Sequence, residues 1–139
     1  MLKIELLDWE AAQEQAKRIR FTVFVEEQGV PADLEMDEND AASLHALAYA
    51  DGFAIGTGRL LPDGHIGRMA VLQEWRGRGA GRAMLRRLID AARHRGHREV
   101  ALSAQVHAVE FYRAEGFEPD GAVYEEAGIP HQAMRMRLD

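Results

Sequence analysis

The sequence predicts an α/β chain of the α+β kind, a mixed and mostly antiparallel central sheet of six to seven strands flanked by about four helices. Three observations lead there. Apolar residues recur at helical spacing over about 9–25 and again over 83–92. Between those stretches lie three strand-like runs separated by tight turns, and a short, fully apolar run follows the second. A strand–helix–strand unit behind an antiparallel meander requires a mixed sheet with helices on its faces.

Each element has its own local reason. Residues 2–7 alternate as a first strand, and Asp8 is placed to cap a helix over about 9–25. Ala12, Ala16, Ile19, Val23 and Phe24 fall on one face of that helix. The acid-rich segment from Glu26 to Asp40, with Gly29-Val30-Pro31, reads as a loop with at most one helical turn. Strands follow at about 44–50, 53–61 and 65–72, with Asp51-Gly52 as the hairpin signal and Pro62-Asp63-Gly64 as the second turn. Ala83, Leu85, Leu88, Ile89 and Ala92 make the buried stripe of the next helix, which Gly96 ends. Val100-Ala101-Leu102 is a buried strand, a short helix spans about 107–115, and two more strands are expected at about 122–126 and 132–138.

At 139 residues, 47% hydrophobic and 29% charged, the chain is expected to form one globular domain over 1–139. No apolar run approaches the ~20 residues that span a bilayer, and the start does not resemble a signal peptide. The chain has no cysteine, which removes disulfides, zinc–thiolate sites and a cysteine nucleophile, and fits a cytoplasmic location. A net charge of −6 argues against nucleic acid as a partner. The eight arginines between Arg76 and Arg98 form either a solvated helix face or a local field for a small polyanion.

Position favours the polyanion. Arg76-Gly77-Arg78-Gly79-Ala80-Gly81 joins the third meander strand to a helix. The first turn of a helix offers about four unpaired N–H groups and a partial positive charge. Gly77, Gly79 and Gly81 let an anion approach that backbone, and Arg76, Arg78 and Arg82 add charge that phosphate oxygens can use. A P-loop is excluded because no G-x-x-x-x-G-K-[ST] is present, and the Rossmann pattern fails because Arg82 stands at its third glycine.

Two motifs then carry a family resemblance. Arg76, Gly79 and Gly81, after the strand Ile66-Gly67-Arg68-Met69-Ala70-Val71, resemble the R-x-x-G-x-G coenzyme A signature of GNAT N-acetyltransferases. Downstream, Ala108 and Phe111-Tyr112-Arg113-Ala114-Glu115-Gly116-Phe117 are similar to the family's N-x-x-A-x-x-x-Y-x-x-x-G-F segment, with Gln105 where the family has Asn. Val23-Phe24-Val25-Glu26-Glu27-Gln28, Glu35-x-Asp37, His45 and Tyr124 to His131 narrow the resemblance to an ElaA-like bacterial subgroup.

The resemblance implies acetyl-coenzyme A as cosubstrate and direct transfer to a primary amine of a small molecule or peptide. It implies that Met69, Ala70 and Val71 serve through their main chain, pairing with the pantetheine arm as an added strand. The turn from Arg76 through Ala80 to Arg82 would hold the pyrophosphate, and Gln105 would reach the coenzyme arm or a bound water. Tyr112 is the implied general acid, because a phenol with a pKa near ~10 stays protonated at neutral pH. The base stays open among Glu26, Glu27, His131 and His45, with Glu27 and His131 foremost. If the acids from Glu26 to Asp40 face the acceptor, they favour a cationic one. His65, His94 and His97 read as surface positions, and no spacing resembles a metal site, so no metal is expected. Neither nucleic acid nor membrane is an expected partner, and a homodimer is compatible with this fold. A coenzyme A-binding sensor without catalysis remains the alternative.

Overall fold

The computed structural model describes residues 1–35 and 37–138, with Leu34 and Glu35 by their backbone alone. Strand β1 (Leu2–Leu7) leads into helix α1 (Trp9–Arg20), which Asp8 caps by accepting from the Ala11 amide at 2.9 Å. The expected helix then changes pitch: Phe21–Glu27 is a π-helix, with the Gln28 amide bonded five residues back to the Val23 carbonyl at 3.2 Å. Such wide turns rotate the downstream residues and recur at functional sites. Short helical turns at α2 (Ala32–Glu35) and Glu38–Ala42 replace the expected loop.

The meander is as expected: β2 (Leu44–Ala50), β3 (Phe53–Leu60) and β4 (His65–Val71) pair antiparallel. Helix α3 (Ala80–His94) crosses to β5 (Glu99–Gln105), which pairs parallel with β4. A short helix α4 (Val109–Ala114) precedes β6 (Glu118–Pro119), β7 (Tyr124–Glu126) and β8 (Ile129–Arg137). The sheet has eight strands in the order β1-β2-β3-β4-β5-β8-β6, with β7 on β8. One strand is therefore added to the expected six to seven, the two-residue β6, too short to show a period in the sequence. No described helix is long and apolar enough to cross a membrane.

Strand β4 is irregular in two respects. It touches β5 only at His65↔Ala101 and Ile66↔Leu102, after which the two strands part. It is also bulged: the register against β3 shifts between Thr57 and Arg59, and Arg68 takes a left-handed φ of 51°. Gly58 permits this, since a Cβ there would lie 2.3 Å from the Met69 sulfur. The main core packs one face of the sheet against α3 through Met84, Leu85, Leu88 and Ala92, with Val100 and Leu102 from β5 and Phe117 from the turn before β6 around it. Helix α1 closes the other face through Ala12, Ala16 and Ile19.

Between α1 and the meander lies a buried ionic chain. Asp40 takes both terminal nitrogens of Arg20, each at 2.8 Å, and also Arg59 at 2.9 Å. Arg59 extends to Asp37 at 2.7 and 2.9 Å, and Asp37 accepts from Arg68 at 3.2 Å. Burial alone would raise the Asp40 carboxyl, but the hydrogen bonds and charges of Arg20 and Arg59 carry it below the usual range. The Arg59 hydrogen bond, with Arg68 behind it, holds Asp37 at about 2. His45, in the same core, is fully buried against the Trp9 ring, with Nε2 2.9 Å from the Asp40 carbonyl.

Replacing Asp40 by Ala removes the carboxylate that Arg20 and Arg59 share and leaves Arg59 to Asp37 alone, and the expected loss is about 3–5 kcal/mol in a urea-unfolding comparison. A loss under about 1 kcal/mol would show that the chain is not structural. Asp37 gives a pH signature. Its folded value lies below the unfolded ~3.9, so its stabilisation is complete above that value and vanishes as pH falls towards about 2. Urea midpoints measured over that interval should fall less steeply in Asp37→Asn than in the unaltered protein.

Candidate active site

Where β4 and β5 part, the sheet opens into a cavity of about 940 Å³. Its walls come from β4, from the end of β5, from the π-helix and from the β7–β8 hairpin, and Tyr112 of α4 also reaches it. Beyond Ile66, the β4 edge that faces β5 has no partner strand among the described residues. Its N–H and C=O groups are therefore available to an extended ligand. Met69, Ala70 and Val71 all line this opening, Ala70 with its side chain in the core beneath.

Past the strand end, the glycine turn does what an anion site requires. Gly77 and Gly79 have φ of 77° and 90°, which a side chain opposes, and a Cβ on either would meet no atom within 4 Å. Gly79 caps α3 without a side-chain bond, so no capping side chain occupies the first amides of that helix. Gly81 sits in the first turn beside Phe111 and Val71, and Ala80 is in the core with only its backbone at the helix end. The turn fits the pyrophosphate of a coenzyme A on its backbone geometry.

Its arginines are engaged elsewhere. Arg76 donates to Glu27 through both terminal nitrogens, at 2.6 and 2.8 Å, and through Nε to the Val71 carbonyl at 2.9 Å. Arg82 lies 3.6 Å from Glu115, and Arg78 lays its guanidinium over the Trp75 ring at 4.8 Å. The Arg76 hydrogen bond also holds the Glu27 carboxyl below its ordinary range. A carboxylate so held is a weak proton acceptor.

Adjacent Gln28 reaches the opposite side. Its amide exchanges hydrogen bonds with that of Gln105, at 2.8 and 3.3 Å, and Gln105 also meets His107 Nε2 at 2.7 Å. Glu27 and Gln28, the last residue of the π-helix and its cap, thus span the opening between the β4 end and the β5 end. Nothing in the spacing of the sequence indicated this pair of bridges, which depends on the altered helical pitch.

Tyr112 is half-buried, with its ring edge-on to Phe111 and Phe117. Burial pushes its phenol up to about 12, so it remains protonated well above neutral pH. Across the cavity, His131 at the start of β8 is 8% exposed. Its Nδ1 lies 2.7 Å from the Ile129 carbonyl, which can only accept, so Nδ1 carries the proton and Nε2 is the free lone pair of the neutral ring. Tyr124 stacks on the imidazole at 6.0 Å, and its phenol is hydrogen-bonded to Ser103. Tyr112, His131 and Glu27 therefore line one cavity.

His45 does not line it. Glu26 is exposed and does not line it either. The acid-rich segment behaves unlike a free acidic face, because Asp37 and Asp40 are matched by Arg59, Arg68 and Arg20. The Glu35 side chain lies outside the described residues. Arg59, Arg68, Gln28, Ser103 and Tyr124 were not singled out from the sequence by any chemical role. No group of three or more His, Asp or Glu residues able to hold a metal ion occurs among the described residues.

Known proteins share this fold. The family model for the acetyltransferase (GNAT) domain matches residues 9–138. An uncharacterised N-acetyltransferase of Bacillus subtilis, YjcF, is 37% identical over 120 residues, covering 84% of this chain and 86% of its own. Protein ElaA of Escherichia coli is 32% identical over 125 residues, covering 84% and 82%. Its crystal structure superposes with a TM-score of 0.87 over 99% of this chain and all of ElaA, at 28% identity. An acyl-CoA N-acyltransferase from Pseudomonas aeruginosa gives a TM-score of 0.86 at 31% identity, over 98% and 99% of the two chains.

The Arg76–Glu27 bridge has a direct readout. In Arg76→Ala, the Glu27 carboxyl should rise out of its lowered range, as followed by carbon NMR through a pH titration. An unchanged titration would show that the two side chains do not pair in solution.

Proposed function

The chain belongs to the GNAT acetyltransferase superfamily, in its ElaA-like group, and from that premise we propose that it moves an acetyl group from acetyl-coenzyme A directly to a primary amine of a small molecule or peptide. The observation that carries the donor half is the β4–β5 opening, with an unpaired strand edge that runs towards the glycine-rich start of α3. An extended arm fits the edge, and a diphosphate fits the helix end. Acetyl-coenzyme A supplies the activated acetyl thioester.

The chain's own residues do the rest. Main-chain amides near the β4 bulge orient the acetyl carbonyl and favour the negative charge that develops on its oxygen. The acceptor approaches from the side walled by the π-helix and the β7–β8 hairpin. His131 accepts one proton at Nε2 from the acceptor ammonium, which frees the nitrogen lone pair to form the C–N bond. As the C–S bond breaks, the Tyr112 hydroxyl gives a proton to the sulfur, the new amide nitrogen releases its second proton to solvent, and both residues reset through solvent. Burial suits Tyr112 to this task, since it keeps the phenol protonated. Between the two expected bases, His131 is preferred, because Glu27 is neutralised by Arg76 while the His131 lone pair has no hydrogen-bond donor among the described residues. Gln105 serves the arm through its amide, in place of the shorter Asn.

The reading is tested by thiol release from acetyl-coenzyme A over a panel of primary amines. Tyr112→Phe should lower turnover by roughly 10²–10⁴ while calorimetry shows coenzyme A bound as before. Coenzyme A binding without turnover on any amine would favour the sensor reading instead.

A further inference from the structure

The charges around the cavity balance on every side but one. Arg59, Arg68 and Arg76 line it, and each has a carboxylate partner: Asp37 and Asp40 for Arg59, Asp37 for Arg68, Glu27 for Arg76. Two described carboxylates line the cavity, Glu27 and Glu126. Glu126 has no arginine or lysine within ion-pair distance among the described residues, and its neighbour is His131, with Oε2 3.8 Å from Nε2. That gap is too long for a hydrogen bond. With Nδ1 protonated against Ile129, the neutral imidazole presents a lone pair at Nε2. A carboxylate oxygen and a nitrogen lone pair thus face each other with no donor between them.

The gap is held open by structure. Register pairs Glu126 with Ile129 and Tyr124 with His131 in the β7–β8 hairpin. The Tyr124 ring covers one face of the imidazole, and its phenol is tied to Ser103 on β5, so the histidine is braced from the sheet. Glu126 itself is 62% exposed at its side chain, facing the solvent path into the cavity.

We infer that the gap between Glu126 Oε2 and His131 Nε2 is the seat of the acceptor's primary ammonium, and that Glu126 is the specificity-determining residue that restricts acceptors to alkyl amines arriving as cations. An ammonium is compact and carries three donors. Two of them can reach the facing acceptors at ~2.9 Å each, a distance compatible with the observed separation. A hydroxyl has one donor and can satisfy one side only, and a carboxylate meets two like acceptors. The donor aimed at Nε2 is the proton that His131 would remove. The inference rests on the acetyltransferase reading of the cavity and names the acceptor class for it. The preference for cations then comes from β7, and not from Asp37 and Asp40 in the segment after α1.

The probe is 1,4-diaminobutane, with 1,4-butanediol as its neutral counterpart, titrated by calorimetry into the coenzyme A-loaded protein and into the protein alone. The diamine should bind at least tenfold more tightly than the diol and should move the His131 ring nitrogen resonances. Glu126→Gln should weaken the diamine about tenfold, leave the diol and coenzyme A unaffected, and melt at the same temperature. Glu126→Lys should abolish diamine binding. Equal affinity for diamine and diol, or a diamine affinity indifferent to Glu126→Gln, would overturn the seat. Loss of coenzyme A binding in the unaltered protein, with the diamine still dependent on Glu126, would sink the acetyltransferase reading and leave the seat standing.

Discussion

Asp40 is a carboxylate placed almost wholly out of water between two guanidiniums, and the geometry of the cavity descends from it. A buried ion pair adds little net stability over apolar packing, yet removing one partner is costly. It therefore acts as a positional constraint. Arg20 is the last residue of α1, so its two bonds to Asp40 fix where that helix stops and where the π-helix begins. Arg59 carries the constraint into β3, and Asp37 passes it to Arg68 at the bulge of β4. The segment that roofs the cavity and the strand that floors it are held to each other by one chain of charges.

The π-helix converts that anchor into a site. Its wider turn brings Glu27 and Gln28, adjacent in the chain, to opposite banks of the opening. Glu27 reaches the start of the glycine-rich turn through Arg76, and Gln28 reaches the end of β5 through Gln105. The two halves of the proposed donor site are thereby linked over the opening by neighbouring residues. The same contacts set the charge state of Glu27, which is why proximity alone does not make it a base.

The opposite wall works by a different device. Tyr124 and His131 sit across a short edge hairpin whose turn needs left-handed backbone at Ala127 and Gly128. Stacking and the tie to Ser103 orient the imidazole, while the Ile129 carbonyl selects its tautomer. Local chain geometry thus fixes which nitrogen faces the cavity, and Tyr112 supplies a protonated phenol because apolar neighbours desolvate it.

Much of the fold was legible in the sequence, because periodicity and turn residues act locally. The first strand, the Asp8 cap, the Asp51-Gly52 hairpin and the Gly96 helix end all follow from neighbours within a few residues. The glycine turn was legible for the same reason: positive φ and a bare helix end are properties of six consecutive residues. The π-helix was not, since its residues read as an ordinary continuation of α1. Nor was the fate of the acidic segment, because Asp37 and Asp40 meet arginines 19 to 31 positions away. By itself the sequence determined most of the elements, their order and the glycine-rich turn, all set by short-range backbone preference. The tertiary structure alone decided which carboxylates are neutralised by arginines and which histidine nitrogen is free, because charge pairing depends on distances in space that no spacing along the chain records.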